Sequence, residues 1–334
     1  IKLWPENQHP DVDELESCCY LGVNYLDWVE THGEEQAAQL YVRGGRRSFL
    51  PLRFMGRLIE SLNPAVVVST SSPRSEQAAI EAAVARQVPS LTMLDVFANP
   101  HDTYLHHQVY ADRITAPSRL AARQLRDAGI DDGRVRITGC PAYDYLRDPA
   151  GPADGAAFRQ ARGWEGKHIV LWCGSLELPS PPALSEYAGP GLCVLVEQRL
   201  RQWLRARPDV ALIVRYHPTQ YHLFPDQGSQ ERVYVSNSAQ DGLGPQLHAA
   251  DPVLVQTSPV GKRVLNLAFS PTVIHTEYDF SKLGLAQSVP TLAALEAVLD
   301  QPSQAFEDIG SRPPVGAATP RVVDEILTMA RGDV

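Results

Sequence analysis

Apolar residues along this chain alternate between two kinds of block. Short unbroken runs read as strands covered on both faces: Ala65–Ser69, Pro89–Leu94, Ala111–Ala116, Val135–Thr138, His168–Cys173, Val210–Tyr216, Val233–Val235, Pro252–Gln256 and Thr272–His275. Between them lie segments with apolar residues at helical spacing. These are Glu14–Glu30, Phe49–Leu62, Glu76–Arg86, Arg119–Ala128, Leu192–Arg207, Gly261–Ala268, Leu292–Leu299 and Pro320–Arg331. Asn63-Pro64 and Gly129 supply stop signals. Glu14–Glu30 is mixed in periodicity and carries Tyr25 and Trp28, and Ile1–Trp4 reads as a short opening strand.

Strand alternating with helix predicts α/β architecture with parallel sheets and helices on both faces. The pattern runs twice, broken by the linker-like Asp148-Pro-Ala-Gly-Pro-Ala-Asp154. With 334 residues, the expectation is two doubly wound, Rossmann-like domains facing across a cleft: 1–150, which looks short, and 151–319. Residues 320–334 form a final helix that returns to the first domain.

Composition narrows the function. Thirty Lys and Arg against 39 Asp and Glu give a net charge of −9, which disfavours nucleic acid as a partner. The five cysteines, including the adjacent Cys18-Cys19, form no CxxC pair and read as reduced, mostly packed thiols. No apolar run reaches the ~18 residues of a membrane span, and no leader is legible. The expected location is cytoplasmic, with peripheral attachment at the inner membrane face as an option. A P-loop and a GxSxG elbow are both missing.

Several short motifs carry a resemblance. Ala116-Pro-Ser118, then Ala128-Gly-Ile130, then Arg136-Ile-Thr-Gly-Cys-Pro141 with Tyr143-Asp144, close the first half. In the second half stand Arg215-Tyr-His217-Pro218 and Ala249-Ala-Asp251 through Thr257-Ser258. Together they are similar to the GT-B superfamily of twin-Rossmann glycosyltransferases, whose fold the sugar-nucleotide 2-epimerases share. Arg215-Tyr-His-Pro218 resembles the His-Pro motif of bacterial capsule, sialic-acid and teichoic-acid transferases. Two departures stand out. An early glycine-rich loop is missing, Gly44-Gly45 being a poor stand-in, and Gln256-Thr-Ser-Pro-Val-Gly261 holds one glycine where the epimerases' phosphate loop has two.

The resemblance implies a glycosyltransferase-like enzyme of surface-polysaccharide or glycoconjugate synthesis. It would take a nucleotide-sugar as substrate, need no cofactor or metal, and pass the sugar to a glycan, lipid-linked or small-molecule acceptor. The alternatives are a UDP-GlcNAc 2-epimerase-like epimerase or hydrolase, and a non-catalytic nucleotide-sugar-binding or scaffolding module. A diphosphate needs amide donors at a helix start, hydroxyls and fixed positive charge. Gly174, Ser175, Arg215, Ser236, Thr257, Ser258 and Gly261 are the candidates, with Ser258 capping the helix expected over Gly261–Ala268, and Lys262 and Arg263 beside it. Glu277 is placed to accept ribose hydroxyls. His217 is assigned to stabilise the leaving nucleotide. Asp95, at the end of an apolar run, is the general base, with His101, Asp102, His106 and His107 as rivals. Ser71, Ser72 and Arg74 line the acceptor side. The histidines lack zinc-site spacing.

Overall fold

A computed structural model describes residues 12–95, 102–178, 182–255, 263–276, 279–302, 310 and 312–332. The chain divides into two compact units, Ile1–Asp144 with Arg312–Val334, and Tyr145–Ser311.

The first unit opens with three helices: α1 (Glu14–His32), α2 (Glu34–Gly44) and α3 (Leu52–Leu62). Asp13 caps α1 by accepting from the amides of Leu15 and Glu16. Leu21, Trp28, Tyr41 and Phe49 form a small core of their own, with the Trp28 and Phe49 rings 4.9 Å apart, edge to face. The Asp27 carboxylate accepts from the Phe54 amide (2.6 Å) and ties α1 to the start of α3. A four-stranded parallel sheet follows, in the order β1 (Val67–Thr70), β2 (Ser90–Met93), β3 (Arg113–Ala116), β4 (Val135–Ile137). Helix α4 (Ser75–Ala85) links β1 to β2, and α5 (Arg119–Asp127), capped by Ser118, links β3 to β4. Gly129 sits at φ +89° immediately beyond α5, where a side chain would be strained.

The second unit holds a six-stranded parallel sheet. Its strands are β5 (His168–Gly174), β6 (Val210–Tyr216), β7 (Val233–Ser236), β8 (Pro252–Val255), β9 (Arg263–Leu267) and β10 (Gln287–Val289). They lie in the order β7-β6-β5-β8-β9-β10. This is the 3-2-1-4-5-6 order of dinucleotide-binding folds, with the reversal between β5 and β8. Helices α6 (Gly151–Gln160), α7 (Gly191–Arg205), α8 (Leu243–Ala249), α9 (Pro271–Thr276) and α10 (Leu295–Leu299) accompany it. Val170, Trp172, Leu200, Leu212, Val214, Leu254 and Leu265 are in its main core. Burying side chains of this size contributes roughly 1.5–3 kcal/mol each. Helices α6 and α8 approach so closely that a Cβ on Gly155 would lie 2.7 Å from the backbone carbon of His248.

The last helix, α11 (Ala318–Arg331), belongs to the first unit. The Asp144 carboxylate accepts from the amides of Ala318 (2.8 Å) and Thr319 (2.7 Å) and so caps α11. Arg321 donates to Thr138 O (2.8 Å).

Two sequence expectations are overturned. Arg263–Leu267 is strand β9, not part of a helix over Gly261–Ala268, so the helix that Ser258 was to cap is not there. Thr272–His275 is not a strand but lies in α9. Pro271 starts that helix with its φ already set and no amide to lose, and this outweighs the β-branched Thr-Val-Ile run. Helix α6 also begins inside the stretch read as linker.

Candidate functional site

In a parallel sheet with this reversal of order, ligands bind outside the carboxyl ends of the strands at the switch point. Strand β5 delivers Gly174 and Ser175 there. A Cβ on Gly174 would meet Cys193 Sγ at 2.9 Å and Trp172 and Tyr216 at 3.1 Å, so only glycine fits. The Gly174 carbonyl accepts from the His217 amide (2.9 Å), which joins the exits of β5 and β6.

His217 is exposed at this rim. Its Nδ1 accepts the Thr219 amide (3.3 Å) and pairs with the Thr219 hydroxyl (2.9 Å). A nitrogen that accepts an N–H carries no proton, so the neutral ring holds its proton on Nε2, as a donor. Desolvation holds the imidazole pKa below its ordinary value, which favours this neutral form.

Arg215 is not at the rim but beneath it, buried at 8% exposure. Nη1 donates to Ser236 Oγ (2.9 Å), Asp241 O (3.0 Å) and Gln246 Oε1 (3.3 Å), and Nη2 donates to Ser238 O (3.2 Å). Ser236 Oγ also accepts from Gln246 Nε2 (2.7 Å) and donates to Asp241 Oδ2 (3.0 Å). Burial lowers the guanidinium pKa. Arg215 and Ser236 therefore meet each other and hold the exits of β6 and β7 to α8. The neighbouring Cys173 thiol is pushed up to about 12 by burial, which leaves it protonated and inert.

Sequence reasoning missed Glu177, two residues beyond Ser175. This carboxylate, 5% exposed, accepts from Ser270 Oγ (2.7 Å), Thr272 N (2.8 Å) and Thr272 Oγ1 (2.7 Å). It stitches the exit of β5 to the β9–α9 junction, and nothing in its local sequence signals that. Arg263 stands at the amino end of β9 and donates to Val298 O (2.7 Å) and Leu299 O (3.2 Å), away from the rim. Thr257, Ser258, Gly261, Lys262 and Glu277 lie outside the described residues.

The first unit has its own cluster at the carboxyl ends of β1 and β2. Ser71 Oγ donates to Asp95 Oδ1 (2.9 Å), and the Tyr143 hydroxyl donates to Asp95 O (3.3 Å). Thr70 Oγ1 bonds Ser72 Oγ (3.1 Å) and Glu76 Oε1 (3.0 Å). Ser71, Ser72, Arg74 and Asp95 are all half-buried. Arg74 stands at φ +73°, a backbone state costing about 1–3 kcal/mol that gathers at functional sites. Burial raises the Cys140 thiol, and the nearby Asp95 carboxylate adds to the shift. Asp102, a rival base, is occupied as a cap, accepting from the Tyr104 amide (2.9 Å). His107 packs edge-on to Tyr104 and is kept neutral by burial, while His101 lies outside the described residues.

Among the described residues no three His, Cys, Asp or Glu side chains converge as metal ligands, and no helix is long and apolar enough to cross a membrane. No protein-family model and no curated protein matches the chain. Solved structures do. A UDP-GlcNAc 2-epimerase from Neisseria meningitidis, bound to UDP-GlcNAc, aligns at TM-score 0.58 and 14% identity, over 83% of this chain and 80% of its own. A UDP-N-acetylglucosamine 2-epimerase from Rickettsia bellii aligns at 0.57 and 10%, over 94% of both chains. One from Methanocaldococcus jannaschii, in complex with UDP-GlcNAc and UDP, aligns at 0.55 and 14%, over 83% and 79%. At such identities the likeness is one of fold: this chain has the two Rossmann-like α/β units of those epimerases.

Proposed function

We propose that this chain is a sugar-nucleotide enzyme acting on a UDP-N-acetylhexosamine without a separate acceptor, as an epimerase or hydrolase. The observation that carries the reading is the rim of the second unit. There Gly174 and Ser175 stand at the end of β5, which borders the point where strand order reverses, and His217 at the end of the adjacent β6 offers an Nε2 donor beside them. The likeness to solved epimerases that hold UDP-GlcNAc supports UDP as the nucleotide.

The chemistry divides by residue. Inverting a carbon that bears hydrogen requires a base to take that proton, and Asp95, held by Ser71, is the base we assign. Cleavage at the diphosphate requires donors for the charge that develops there, and we assign this to His217 and the amides beyond β5. Arg215 and Ser236 act beneath them as a frame. Transfer to an acceptor hydroxyl is the second reading, favoured by His217-Pro218 at a strand end.

Incubation with UDP-GlcNAc alone, followed by proton NMR, separates the two. Formation of a second UDP-sugar, or release of UDP with free sugar, is expected. An unchanged substrate that nevertheless raises the unfolding temperature would sink the acceptor-free reading and return the transferase or a binding module.

A further inference from the structure

Large apolar side chains are exposed in several places, but among the described residues only Tyr143 (37%) and Tyr145 (45%) are exposed aromatics. Tyr143 donates to Asp95 O in the first unit. Tyr145 opens the second unit. Among the described residues its hydroxyl has no hydrogen-bond partner, and its ring pairs with no other aromatic ring.

Two observations fix where that ring stands. Its Cδ2–Cε2 edge lies 3.5 and 3.6 Å from where a Cβ on Gly244 would be, so the edge rests on the first turn of α8. Burial raises the phenol pKa, and the nearby Arg215 guanidinium offsets part of the rise, with Cys173 a further neighbour. Cys173 and Arg215 are register partners across β5 and β6. Tyr145 therefore stands at the carboxyl ends of these two strands.

That place is one strand spacing, about 4.8 Å, from the exit of β5. In dinucleotide folds of the same strand order the diphosphate lies at the exit of the first strand. The ribose is met by a carboxylate about twenty residues further on, so the nucleoside runs toward the second strand. Here the second strand is β6. The polar groups at its exit are turned inward, Arg215 bonding Ser236 and Gln246, and Gln246 bonding Ser236. What a flat ligand meets there is the tyrosine ring.

We propose that Tyr145 is the nucleobase platform of this site: the uracil of a UDP-sugar stacks on its ring while the diphosphate lies at Gly174, Ser175 and His217. The inference rests on the reading of the chain as a UDP-sugar enzyme and adds the residue that holds the base. Every base has a π-face, so stacking tolerates base identity. Tyr145 supplies affinity for a nucleotide, not the choice of uracil.

Calorimetric titration with UDP and with UDP-GlcNAc tests it. Tyr145→Ala should raise both Kd values about tenfold or more, as expected for the loss of one stacked base. Tyr145→Phe keeps the ring and should stay within about threefold of the wild type. The unfolding midpoint should hold in both, since the ring is half exposed. A wild type that binds neither ligand overturns the functional reading itself, and the platform with it. Equal binding of UDP by wild type and Tyr145→Ala overturns the platform alone, and a loss confined to UDP-GlcNAc does so by placing the sugar on the ring. Photo-cross-linking of the wild type to 5-iodo-UDP reads the same contact without a variant. Attachment should fall on Tyr145; attachment elsewhere, or none, sinks the stack.

Discussion

The two strand-end clusters hold the same kinds of residue at the same topological place, yet they are physically unlike. In the second unit the guanidinium of Arg215 spends four hydrogen bonds on Ser236, Ser238, Asp241 and Gln246, and both Arg215 and Ser236 are buried. In the first unit Ser71 and Asp95 are half-buried and bonded to each other. A buried side chain whose bonds all run to neighbouring protein groups is a frame, and a half-buried one with lone pairs left over is able to do chemistry. Position on a strand does not distinguish them; burial and hydrogen-bond accounting do.

The sharpest way to break this contrast is Arg215→Ala. It strands several buried acceptors at once, and a loss of about 3–4 kcal/mol is expected in urea unfolding. If the midpoint holds and only UDP binding falls, Arg215 is a ligand after all. Asp95→Asn should behave in the opposite way. Acceptor-free turnover should fall about a hundredfold or more, while stability moves by no more than about 0.5 kcal/mol. Equal losses in stability and turnover would erase the distinction between the clusters. Glu177→Ala sharpens the comparison, because it tests a carboxylate of the frame rather than of the chemistry. Three donors on Ser270 and Thr272 lose their acceptor, and roughly 2 kcal/mol of stability should go with them. Any drop in turnover should be smaller than for Asp95→Asn at a temperature where both variants are folded.

The legible part of the fold was the part written as unbroken apolar runs. Pro89–Leu94 and His168–Cys173 became central strands because both faces are covered, and periodicity suffices to see that. The segment Arg263–Leu267 reads as helix in sequence because its three apolar residues, Val264, Leu265 and Leu267, fit a short helix as well as a strand, and the alternation of elements favours helix. Helix α2 went unseen: Glu34–Gly44 mixes polar and apolar residues evenly, with only Ala37 and Tyr41 buried. At the site, Asp95 with Ser71 and His217 with Gly174 were legible as strand ends. Glu177 was not, since its partners lie more than ninety residues away in the chain. Side-chain depth was equally invisible. Arg215 and His217 alternate with Tyr216 and share a parity, but the pattern cannot tell that one ends beneath the rim and the other upon it.

That last difference leads to the smallest expected effect and the most specific one. Burial depresses the His217 pKa below its ordinary 6.5, so at pH 7 the ring is neutral. The neutral form favours folding, so its contribution is complete above about 6.5 and is lost as pH falls through the lower folded-state value. Ligand binding has the opposite sign. If Nε2 meets the diphosphate, protonation turns a neutral hydrogen bond into a charge-assisted one, about twice as strong. Affinity should then rise by up to about tenfold, or ~1.4 kcal/mol, as pH is lowered below 6.5, and binding should in turn raise the imidazole pKa. The ligand should be UDP-GlcNAc rather than UDP, because its diphosphate is esterified at both ends and does not titrate in this range. Calorimetric titration across that window should show the rise in the wild type and a flat profile in His217→Gln. A flat wild-type profile would detach His217 from the diphosphate and leave it, like Arg215, a part of the frame.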